Sequence, residues 1–113
     1  MGSLLDRHGA VSNLLLHLHL PMDEIEALCR EYHVRELSLF GSVLRHDFGD
    51  DSDVDMLVLF EPDAAIGILE LAALQRKLGK LIQRNIDLVP KLGLKTLIKD
   101  DVLRSARIIY AKN

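Results

Sequence analysis

Cysteine occurs once, as Cys29, so no disulfide can form within the 113 residues. It falls in an apolar helical pattern, and nothing beside it would activate a thiolate, so it is expected to be a buried structural thiol. Long apolar runs are missing too: Asp6, Arg7, His17 and His19 interrupt the N-terminal leucines, and no run approaches the ~20 residues of a membrane-spanning helix. A soluble, cytoplasmic chain is expected. Neither sign of charge dominates, with 14 basic and 17 acidic residues and a formal net charge of −3. That balance exerts no broad pull on nucleic acid and argues against direct nucleic-acid binding. Internal repeats and low-complexity segments are absent, and the length suits one domain with a modest core and no second lobe.

Residues 1–20 are set apart as an N-terminal segment, a candidate pairing surface, and residues 21–113 as the domain. His17 and His19 alternate with leucines, but with no carboxylate or thiol nearby they fit solvated or packed side chains better than a metal pair. Pro21, followed by Asp23, Glu24 and Glu26, opens a helix with Ile25, Leu28, Cys29 and Tyr32 on its inward face. Val34 to Phe40 reads as a strand, Ser42 to His46 as a short helix, and Val54 to Phe60 as a second strand stopped by Pro62. Asp63 is expected to cap a helix over 64–82, followed by a third strand over 85–89 and a last helix over 99–111. This order gives an α/β (α+β) fold, a small mixed sheet covered by helices.

The chain is organised around Leu37 to Phe60, where two apolar strands flank a Gly-Ser turn and an acid-rich connection. Side chains two apart on a strand share a face, so Asp53 and Asp55 stand side by side and repel unless a cation or hydrogen bonds neutralise them. Hard oxygen ligands suit Mg²⁺ or Mn²⁺, and Mg²⁺ is commonly held by one or two carboxylates plus substrate phosphates. Upstream, Gly41 lets the backbone come close to a phosphate, and the Ser42 hydroxyl adds a donor where a helix begins. Arg45 returns to the same helical face three residues later and suits phosphate oxygens, with a plain surface role as the alternative. Asp87 is the one charge in Ile86-Asp87-Leu88-Val89 and needs a partner, either a metal or an arginine such as Arg84. His46 is near this stretch but too ambiguous to assign a role.

Gly41-Ser42, ten residues, then Asp53-Val54-Asp55 resembles the GS-x10-DxD signature of the nucleotidyltransferase superfamily related to DNA polymerase β. With Arg45 and Ser52-Asp53 it is similar to the minimal nucleotidyltransferase branch, over roughly Pro21 to Tyr110, although His46 stands where that branch commonly has glycine. The resemblance implies the nucleotidyltransferase fold and a site in which Asp53, Asp55 and Asp87 are catalytic carboxylates holding two Mg²⁺ ions. It assigns Gly41, Ser42, Arg45 and Ser52 to the nucleotide. It further implies an antitoxin that transfers AMP from ATP to a tyrosine hydroxyl of a HEPN-domain RNase toxin. Two rivals stand beside this: a noncatalytic antitoxin that covers its partner, and a small-molecule nucleotidyltransferase, which the short length disfavours. Three strand aspartates argue against a purely steric inhibitor.

Overall fold

The computed structural model describes residues 18–41, 53–94 and 96–112. Its elements are α1 (Met22–Glu31), β1 (Val34–Phe40), β2 (Val54–Phe60), α2 (Ile68–Ile82), β3 (Ile86–Pro90), a 3-10 turn (Lys91–Gly93), α3 (Thr96–Ser105) and β4 (Arg107–Ala111). The four strands form one mixed sheet in the order β3-β2-β1-β4, with β1 antiparallel to both neighbours and β2 parallel to β3. The parallel pair needs a crossover, and α2 supplies it.

Register divides the sheet into two faces. Leu37 lies opposite Val58 and Leu39 opposite Met56, while Val54 and Met56 pair with Ile86 and Leu88. This face packs with Ile25, Leu28 and Cys29 of α1 and with Leu74, Leu78 and Ile82 of α2. Leu18 and Leu20 also pack here, so the end of the N-terminal segment contributes to the core. Burial pushes the Cys29 thiol up to about 12, with Glu26 adding to the effect, which fits the structural role expected of it. On edge strand β3 the Leu88 N–H, which faces no neighbouring strand, donates to Gln75 Oε1 of α2 at 2.9 Å.

Two element boundaries depart from expectation. The helix placed over 64–82 starts at Ile68, because residues 61–64 close a turn in which the Ala64 N–H donates to the Glu61 carbonyl at 3.0 Å. Gly67, not Asp63, is its N-cap, with the Gly67 N–H donating to Glu70 Oε1 at 2.9 Å. The last helix expected over 99–111 is instead α3 followed by β4. Ser105 ends α3 by donating its hydroxyl to the Asp101 carbonyl at 3.0 Å, and Arg107-Ile108-Ile109-Tyr110 then pairs with β1. β-branched and aromatic residues suit a pleated surface, and pairing beside β1 outweighs the helical spacing of Val102, Ala106 and Ile109.

The C-cap of α2 carries strain. Exposed Gln83 adopts φ 61° and ψ 38°, a left-handed conformation that favours glycine. Gln83→Gly is expected to stabilise the fold by ~0.5–1 kcal/mol. A urea denaturation midpoint checks this, and a lower midpoint in the variant would contradict it.

Candidate active site

Asp55 and Asp87 are direct partners across the parallel β2–β3 ladder, and Phe40 of β1 lies opposite Asp55 on its other side. One row therefore runs Phe40, Asp55, Asp87 on the face turned away from α1 and α2. Asp87 is exposed and Asp55 half-buried. Among the described residues the ion pairs are Lys77–Glu31, Lys91–Glu36, Arg104–Asp101 and Lys112–Glu61, and none joins Asp87 to Arg84. Asp87 escapes the cost of burial because this end of the face is open.

Asp53 is exposed and immediately precedes β2. The neighbouring Val54 N–H donates to the Asn85 carbonyl at 2.8 Å, which ties the start of β2 to the entry of β3. Gly41 follows Phe40 with φ 76°, and a Cβ there would overlap Asp55 Oδ2 and lie 3.3 Å from its Cγ. Glycine is required twice over, for backbone conformation and for the carboxylate's approach. Ser42, Arg45, His46 and Ser52 lie outside the described residues, as does the short helix expected over 42–46.

The donor set suits a hard cation, since Asp55 and Asp87 present carboxylate oxygens in one row. Among the described residues no three His, Cys, Asp or Glu side chains gather into a group able to hold a metal by themselves. Sequence reading passed over Asn85, although the alternation that joined Asp53 to Asp55 also puts Asn85 on the face of Asp87.

The family model for the nucleotidyltransferase domain matches residues 22–109. The chain belongs to the nucleotidyltransferase domain family. It is similar to a protein of Thermococcus cleftensis named protein adenylyltransferase MntA, at 37% identity over 99 residues that cover 80% of this chain and 96% of the relative. A solved minimal nucleotidyltransferase is 33% identical, with TM-score 0.63 over 74% of this chain and 84% of that one. A complex of a tri-AMPylated HEPN toxin with an MNT antitoxin, from Shewanella oneidensis, matches at TM-score 0.58 and 22% identity, over 80% of this chain and 69% of that one, and shares the fold. Four of the elements expected of this nucleotidyltransferase domain, α1, β1, β2 and β3, occur where its sequence predicts them. None of the described helices is long and apolar enough to cross a membrane.

Gly41→Ala should cost ~1–2 kcal/mol from the left-handed backbone alone and should displace the Asp55 carboxylate. Lower stability together with loss of nucleotidyl transfer is expected, read by denaturation and by label transfer from α-labelled ATP. A variant with wild-type transfer would show that Asp55 does not need this approach.

Proposed function

We propose that this chain is an antitoxin that transfers AMP from ATP to a tyrosine hydroxyl of a HEPN-domain RNase, silencing it. The observation that carries the reading is the 37% identity, across 96% of its length, to a protein adenylyltransferase. The Asp55–Asp87 row beside Gly41 supplies the matching chemistry.

Transfer requires the acceptor oxygen to bond to the α-phosphorus while the bond to the departing pyrophosphate breaks and the hydroxyl proton leaves to solvent. Residues of this chain have three tasks. Gly41 exposes backbone close to the phosphates, with Ser42, Arg45 and Ser52 assigned to the same triphosphate. Asp53, Asp55 and Asp87 would hold the cations that accompany it. Mg²⁺ held there would neutralise the developing charge and lower the pKa of the acceptor hydroxyl. Exposed Asp53 and Asp87 leave this side of the sheet row accessible to a protein acceptor. AMP on the partner would place a bulky anion where RNA phosphates approach, and charge and bulk together would oppose RNA binding.

The steric antitoxin is the competing reading, and one experiment separates them. The partner RNase is purified after co-expression with wild type or with Asp53→Asn and weighed by intact-mass spectrometry. AMP-sized additions are expected only with wild type, and their number should follow loss of RNase activity after the antitoxin is removed. A partner silenced equally by the Asp53→Asn protein, with no added mass, would favour steric covering.

A further inference from the structure

Asn85 enters the site on a braced turn. After α2 the Gln83 and Arg84 N–H groups both donate to the Gly79 carbonyl, at 2.8 and 3.3 Å. A Cβ on Gly79 would sit 3.2 Å from the Arg84 carbonyl oxygen, a tight contact that glycine avoids. The Asn85 carbonyl then accepts from the Val54 N–H at 2.8 Å, the ordinary parallel-ladder bond of the Val54–Ile86 pair. Extending that register sets Asn85 beside Asp53, and strand alternation gives it the face of Asp87. Its side chain is exposed.

Strand order then assigns a side to it. Gly41 lies at the end of β1, on one flank of Asp55, whereas Asp87 and Asn85 belong to β3 on the other flank. With the triphosphate proposed to lie between Gly41 and a cation at Asp55 and Asp87, the entry of β3 before Asp87 is the side left for the acceptor. An exposed amide both donates and accepts hydrogen bonds, whereas an ionised carboxylate only accepts. We infer that Asn85 is an acceptor-binding residue, whose amide hydrogen-bonds the partner protein around the modified hydroxyl and takes no part in holding ATP. This rests on the proposed transfer to a protein acceptor.

The test compares wild type, Asn85→Ala and Asn85→Gln. Steady-state transfer to the purified partner gives KM for acceptor and for ATP, and calorimetry gives the affinity for a nonhydrolysable ATP analogue with Mg²⁺. Asn85→Ala should raise the acceptor KM about 3- to 10-fold, as loss of one neutral hydrogen bond would, with ATP KM, analogue affinity and melting temperature at wild-type values. Asn85→Gln, which keeps the amide, should recover part of the loss. An unchanged acceptor KM, or a rise shared equally by ATP or by the analogue's dissociation constant, would overturn the assignment. Wild type that modifies no partner would instead overturn the transfer reading, and this inference with it.

Discussion

Two carboxylates in one row of a sheet repel each other, and the rest of this small fold is arranged to hold them there. Like charges on facing positions weaken strand pairing, so the Asp55–Asp87 row depends on what surrounds it. On the opposite face Val54, Met56, Ile86 and Leu88 lock β2 to β3 against α1 and α2. The turn from Gly79 to Asn85 sets where β3 begins, and hence which residue meets Asp55. A shift of one residue would move Asp87 to the helix-covered face and Leu88 out of the core. Packing on one side of the sheet thus fixes the chemistry on the other.

That arrangement was partly legible in the sequence. Strands β1 and β2 run over the residues that alternation and Pro62 mark out, because both are short apolar stretches ended by turn residues. The acidic pair and its glycine stood out by type and spacing. Asp87 could be nominated from its apolar surroundings, but its partner could not, since register across a crossover is a property of packing rather than of local sequence. The start of α2 was misplaced because Asp63 is a good cap in isolation, whereas here its segment closes a turn after β2. Strand β4 was hidden for a related reason: Val102, Ala106 and Ile109 have helical spacing, and only the presence of β1 alongside makes Arg107 to Ala111 a strand.

The two faces divide the work of a domain with little material to spare. One is closed by helices and includes Cys29, whose raised pKa keeps it a thiol in the core. The other ends in acidic residues at the mouth of β2 and β3, with Gly41 on the β1 side. Under the proposed transfer, phosphates on the Gly41 flank and an acceptor on the β3 flank would meet at a single row of carboxylates. Proximity of that kind accounts for much of what phosphoryl-transfer sites do.

The central claim is that the Asp55–Asp87 row binds a nucleotide through a divalent cation. Calorimetric titration of wild type and Asp87→Asn with a nonhydrolysable ATP analogue, in Mg²⁺ or in excess chelator, tests it most directly. Binding to wild type that requires Mg²⁺ and weakens at least tenfold in Asp87→Asn, at an unchanged melting temperature, is the predicted result. Equal binding with and without Mg²⁺, in both proteins, would contradict it.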